Sequence, residues 1–127
     1  MKKYLLLITK SPHHPNTKKA LIFAKQQLAQ GTPVLVFFYA DGAYIANRLM
    51  WQTADVENIQ TAWIELAKKY GLKLPVCVST ALARGITDVQ NAQRHGLLGD
   101  NLHPDFELVG LADLAMQLDD DTQLQQF

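Results

Sequence analysis

Apolar residues in this chain come in two arrangements, short unbroken runs and longer stripes at helical spacing, and the two alternate. Tyr4 to Thr9 is an apolar run, the pattern of a strand buried on both faces of a parallel sheet. After "KSPHHPN" breaks it, Asn16 or Thr17 is placed to cap a helix whose apolar positions are Ala20, Leu21, Phe23, Ala24 and Leu28, with Gly31 as its stop. "PVLVFFY" reads as the second strand. "ADGAYIANRLMWQ" turns at Asp41 and Gly42 and then offers a short helical face of Tyr44, Ile45, Arg48 and Leu49. Asp55 to Lys69 reads as a second long helix, with Val56, Ile59, Ala62, Trp63 and Leu66 as its buried stripe and Gly71 as its stop.

"LPVCVS" is the third strand. Two short helices follow, Thr80 to Arg84 closed by Gly85, and Asp88 to His95 closed by Gly96; Thr87 and Gln90 have the spacing of a capping box for the second. "DFELVG" is a fourth short strand, Leu111 to Leu118 a last helix, and "TQLQQF" a fifth strand at the sheet edge. Strands alternating with helices imply an α/β fold, a single-domain three-layer sandwich over residues 1–127 around a mainly parallel sheet of about five strands. There is no internal repeat, linker or low-complexity tract.

Composition narrows the function classes. With 48% hydrophobic and 19% charged residues in 127, the chain is an ordinary globular one, long enough to bury roughly two thirds of its unfolded surface without staples. A formal net charge of zero weighs against direct nucleic-acid binding, which needs a basic stripe to displace phosphate counterions. The start, "MKKYLLLITKSP", has a signal-like look, but its apolar core spans only Tyr4 to Ile8 and no small-residue cleavage site follows. Nothing approaches the roughly 18 apolar residues of a membrane helix, and one cysteine cannot form an internal disulfide, so a reducing cytoplasm is expected.

Candidate chemistry centres on that cysteine, Cys77. Reactive groups in open α/β sheets gather where strands end and helices begin, and Cys77 lies close to such a junction. If Ser79 or Thr80 opens the following turn, the peptide N–H groups there favour thiolate over thiol. Against this, free cysteine is among the most buried residue types, and Val76 and Val78 flank this one. Position alone leaves both readings open, packing material and reagent.

Other chemistries lack their signatures. G-x-S-x-G, G-x-G-x-x-G and G-x-x-x-x-G-K-[ST] are absent, which removes the hydrolase elbow, the dinucleotide fingerprint and the P-loop. His13 and His14 are adjacent, so their side chains diverge, and His95 and His103 add no ligand spacing; neither a metal nor any other cofactor is expected. Asp119, Asp120 and Asp121 lack the glycine and terminal glutamate of a calcium loop and read as a solvated turn. "AYIANRLMWQT" presents Tyr44, Ile45, Leu49, Met50 and Trp51, which serve either as core cover or as a subunit interface or pocket lip; Tyr44 and Trp51 are the partner-contact candidates.

Two stretches carry a resemblance. "FFYADGAYIAN" is similar to F-F-Y-x-x-G-x-Y-x-A-N, and "CVSTALARGITD" to C-V-x-x-A-L-x-R-G-x-x-D, of the small DsrE-like sulfur-relay proteins; "NLHPDFELVGLADLA" and the closing "QF" fit that family's last strand, helix and terminal strand. The resemblance covers essentially the whole chain. It implies that Cys77 is the sulfur-carrying cysteine of a persulfide relay serving 2-thiolation of the tRNA wobble uridine. Gly42, Tyr44, Asn47, Arg84 and Gly85 match the pattern without an assigned role, while "KSPHHPN" has no counterpart in it. Arg84 either supports the thiolate or persulfide electrostatically or is a surface charge at a helix end.

The implied chemistry is exchange at sulfur, with one cysteine and therefore an intermolecular donor and acceptor. The implied partners are an upstream persulfide donor, a downstream acceptor and two related α/β subunits in a heterohexamer, with no membrane and no direct contact to nucleic acid. Two rival readings are a non-catalytic assembly subunit and a small-molecule-binding module with an inert cysteine.

Overall fold

The computed structural model describes residues 2–127. Five strands, β1 (Lys3–Ile8), β2 (Val34–Phe38), β3 (Pro75–Cys77), β4 (Glu107–Val109) and β5 (Thr122–Gln126), form one sheet in the order β4-β3-β2-β1-β5. Every pairing is parallel. The α/β reading holds, and the sheet is wholly rather than mainly parallel. From β1 the chain steps outward through β2, β3 and β4, each beside the last, and then returns to the far edge, where β5 lies against β1. The segment between β4 and β5 must therefore cross one whole face of the sheet.

The helices are α1 (Pro15–Ala29), α2 (Ile59–Tyr70), α3 (Val78–Ala83), α4 (Val89–Arg94) and α5 (Leu111–Met116), with a 3-10 helix over Ala40–Ala46. Several boundaries differ from the sequence expectation for local reasons. Helix α1 is capped by His14, not Asn16 or Thr17: its Nδ1 accepts the Asn16 N–H at 3.0 Å, and Pro15 takes the first helical position, where a missing N–H costs nothing. Thr17 is buried instead, its hydroxyl donating to the Lys10 and Ser11 carbonyls. Helix α2 starts at Ile59 rather than Asp55, because the Asn58 side chain accepts the Thr61 N–H and fixes the cap there. Val56 thus falls outside the buried stripe and is exposed, while Ile59, Trp63 and Leu66 are buried as expected and Ala62 is partly so. In α4 the cap is Asp88, whose carboxylate accepts the Asn91 N–H, and not Thr87.

Alternation along the strands sorts the sheet's side chains onto two faces. Leu6, Ile8, Val34, Val36, Phe38 and Val76 belong to the larger core under α1 and α2. There Phe38 meets Trp63 edge-on at 5.5 Å and Phe106 at 5.8 Å, and Trp63 is wholly buried. Leu5, Phe37 and Cys77 form a second, smaller cluster on the opposite face, with Leu7, Leu35, Tyr39, Val109 and Leu114 around it. Leu114, on α5, is the helical contribution to that cluster. Among the described residues β2 and β3 pair only at Phe38 and Val76. Below that point the strands diverge, in keeping with Pro75, which opens β3 and has no N–H for a ladder. No helix among the described residues is long and apolar enough to cross a membrane.

Candidate functional site

Cys77 is the last residue of β3 and the N-cap of α3, which begins at Val78 with no connecting residue. The sequence expectation that Ser79 or Thr80 opens this helix is corrected: the strand runs straight into it, so Ser79 lies in the first turn and faces solvent. Cys77 stands at the carboxyl end of the sheet, between Tyr39, the residue just after β2, and Val109, its ladder partner on β4. It is only 3% exposed. Its sulfur lies on the smaller apolar face among Leu5, Phe37 and their neighbours.

A polar strap holds this junction from the other side. The Thr80 hydroxyl accepts the Ala40 N–H at 3.2 Å and lies 3.4 Å from the Cys77 carbonyl, to which it donates. Arg84 closes α3: its Nε donates to Asp41 Oδ1 at 3.0 Å, its Nη1 to the Thr80 carbonyl at 3.1 Å, and its guanidinium lies 6.0 Å from the centre of the Tyr44 ring. Arg84 is thus the tie between α3 and the turn after β2, and its recorded bonds go to Asp41 and Thr80 rather than to the sulfur. The sequence marked Asp41 only as a turn residue and Thr80 only as a possible helix opener, and the ties they make here were not read from it. A hydroxyl three residues after a cap is a local clue to the role of Thr80, whereas nothing local pairs Asp41 with Arg84, 43 positions away.

The turn itself is strained and tight. Ala40 has φ of 54°, a left-handed conformation that costs a non-glycine residue roughly 1 kcal/mol. At Gly42 a Cβ would stand 2.1 Å from the Ile8 carbonyl oxygen, so only glycine lets the 3-10 helix pack onto the end of β1. Tyr44 is 42% exposed on this helix, while Ile45 is wholly buried. Asn47 bridges Leu102, and its Oδ1 accepts the Leu49 N–H at 3.0 Å and the Asn101 amide at 3.3 Å. Gln60 donates to the carbonyls of Ile45 and Asn47, both at 2.8 Å, which makes Asn47 a structural clamp. Trp51 is 78% exposed and lies past that clamp. The structure therefore gathers Tyr44 and Arg84 beside the junction and leaves Asn47 and Trp51 in other surroundings.

The histidines serve locally. His14 caps α1, His13 lies 3.4 Å from the Gln52 amide, and His103 Nδ1 accepts the Asp105 N–H. Among the described residues no three His, Cys, Asp or Glu side chains converge as a metal site.

Comparison with known proteins places the chain. Residues 2–127 match the model of the DsrE/DsrF-like family. The chain is 42% identical to a protein named Sulfurtransferase TusD of Proteus mirabilis, over 91% of this chain and 90% of that one. It is 38% identical to Sulfurtransferase TusD of Serratia proteamaculans over the full length of both. Its fold is similar to the crystal structure of the ychN protein from E. coli, with a TM-score of 0.72 at 18% identity over the whole of both chains. The chain belongs to the DsrE/DsrF-like family.

Proposed function

We propose that this protein is a sulfurtransferase that carries sulfane sulfur on Cys77 between two other proteins. The observation that carries the reading is the position of the chain's single thiol at the carboxyl end of β3, on the lightly covered face, in a chain whose relatives are named sulfurtransferases. The Cys77 thiolate attacks the outer sulfur of a donor persulfide, R–S–SH. A new S–S bond forms, the old one breaks, and the donor leaves as R–S⁻, so that Cys77–S–SH results and atoms and charge balance. The same exchange with the roles swapped then delivers the sulfur: an acceptor thiolate attacks the outer sulfur of Cys77–S–SH and Cys77 leaves as thiolate. No second cysteine is needed in the chain, and both partners are intermolecular.

The relay serves 2-thiolation of the tRNA wobble uridine, in the cytoplasm, with this chain as the carrier subunit beside two related α/β subunits in a heterohexamer. Tyr44 and Arg84 support the junction from one side, and Asn47 and Trp51 offer contacts to the neighbouring subunits. The test is mass spectrometry of the protein after exposure to a persulfidated donor. Cys77 gains about 32 Da, one sulfur atom, and Cys77→Ser gains nothing while keeping its fold. Equal gain in the serine variant overturns the assignment. A second reading, an assembly subunit with an inert cysteine, draws on the 3% exposure of Cys77, and it predicts no gain in either protein.

A further inference from the structure

A cysteine that is only 3% exposed cannot be reached by another protein's thiol without movement, so the carrier reading, on which this inference rests, requires that something uncover it. The elements beneath Cys77 are the sheet and the packed core. The helix that packs on the Cys77 cluster, through Leu114, is α5. It contains no buried residue, and its N-cap, Gly110, supplies no side-chain bond. Among the described residues, the recorded hydrogen bonds of 111–118 run only within that segment, to Gly110 and to the Thr122 hydroxyl. Leu114 is its one side chain packed against the Cys77 cluster. Beneath its far turn a cleft of about 740 Å³ separates Asp113 and Met116 from Leu35 and Val109, and those last two also wall the Cys77 cluster. A helix held by one apolar side chain over open space has a low opening free energy.

The exposed surface of this segment and of the cleft mouth beside it has a definite chemistry. Leu111 is 53% exposed, Met116 at the cleft is 82% exposed, and Leu118 is also exposed. After Arg94 the chain contains no Lys or Arg but seven of its 12 acidic residues. Asp119 pairs with Lys3, Asp100 with Arg48 and Asp105 with Lys68, whereas Glu107, Asp113, Asp120 and Asp121 have no ion-pair partner among the described residues. Lys73 is the one cation lining the cleft among the described residues. Apolar anchors rimmed by unpaired carboxylates complement a partner whose reactive thiol is flanked by basic residues.

We propose that residues 110–121, together with Glu107 at the cleft beside them, form the docking surface for such a basic sulfur-exchange partner, and that seating the partner lifts α5 from Cys77. The lid keeps the persulfide from water and adventitious thiols between transfers, and the carboxylates select who opens it.

Two measurements test this without depending on sulfur carriage. First, alkylation of Cys77 by N-ethylmaleimide should be slow in the wild type and rise roughly tenfold in Leu114→Ala, while hydrogen exchange of residues 111–117 in the wild type runs faster than that of α1 and α2. Equal alkylation rates, or amides in α5 as protected as those in α1, overturn the lid. Second, two peptides bearing cysteine as a 2-pyridyl disulfide, one flanked by lysines and one by glutamates, are offered to Cys77. Its thiolate forms the mixed disulfide and releases pyridine-2-thione, which is read by absorbance. The lysine peptide should react roughly tenfold faster at low salt, and Glu107→Lys with Asp113→Lys, or high salt, should remove the advantage. Equal rates for the two peptides overturn the docking surface, as does alkylation that slows with rising protein concentration, the mark of a second copy covering this face. If these results hold and no persulfide donor loads Cys77, the carrier reading falls and the lid stands.

Discussion

The two faces of the sheet are built to different standards. On one, α1 and α2 press Ile8, Phe38, Trp63 and Phe106 into a continuous core with edge-to-face aromatic contacts. On the other, Leu5, Phe37 and Cys77 are covered by a six-residue helix that buries none of its own residues. Apolar burial and close packing supply most of a fold's stability, so the first face holds the molecule together. The second is held by far fewer buried contacts, and it is the face that contains the thiol. The same separation appears in the polar contacts. The strap from Asp41 through Arg84 to Thr80 and Ala40 fixes the backbone around Cys77, whereas among the described residues α5 has no comparable tie.

The contrast can be broken by substitution. Trp63→Ala, in the packed core, should destabilise the protein by about 3–5 kcal/mol, even though the indole Nε1 has no hydrogen-bond partner among the described residues, because the cavity outweighs the relief of one unpaired donor worth about 1–3 kcal/mol. Gly42→Ala should cost about 3 kcal/mol, since the added methyl meets the Ile8 carbonyl and the 3-10 helix must lift from the core side. Leu114→Ala, on the thin face, should cost less than about 1.5 kcal/mol. Urea unfolding of the three variants checks the order. A Leu114→Ala loss as large as that of Trp63→Ala would mean that the two faces are equally structural.

The smallest effect concerns the far hinge of the crossing segment. Asp119 accepts hydrogen bonds from the Thr122 hydroxyl and the Asp121 N–H and pairs with Lys3 at 3.2 Å. The Thr122 hydroxyl and then Lys3 hold its carboxyl below the ordinary aspartate range. A depressed folded value means that its contribution is fully present above the unfolded pKa of about 3.9 and is lost as pH falls through the lower folded value. Asp119→Asn should therefore narrow its small deficit against wild type as pH drops into that acid range. A deficit that grows with acidity would show that the hinge is held by something other than this carboxylate.

Much of the layout was legible in local pattern. The run at Tyr4 to Thr9, the stripe through Ile59, Trp63 and Leu66, and the stops at Gly31, Gly71, Gly85 and Gly96 all answer to side-chain periodicity and to glycine's freedom at positive φ. The misreadings sit at helix starts. His14 displaced Asn16 and Thr17, Asn58 displaced Asp55, and Asp88 displaced Thr87, because several residues in each stretch can accept the first free N–H and the surrounding packing selects one. Of the site, Cys77 was legible as the lone thiol near a strand end. The Asp41–Arg84 tie was not, because it joins residues far apart in the chain. Asn47 turned out to be a clamp whose partners, Gln60 and Asn101, lie on other segments.

By itself the sequence determined the elements, their order and the thiol at the end of the third strand, since each depends on neighbours within a turn or two. How that thiol is covered was decided only in three dimensions. With β5 beside β1 and β4 at the opposite edge, the chain between them must span the sheet, and a short helix suffices to close the crossing without packing it firmly. Topology, rather than any property of the cysteine's own neighbours in sequence, therefore sets how tightly Cys77 is enclosed.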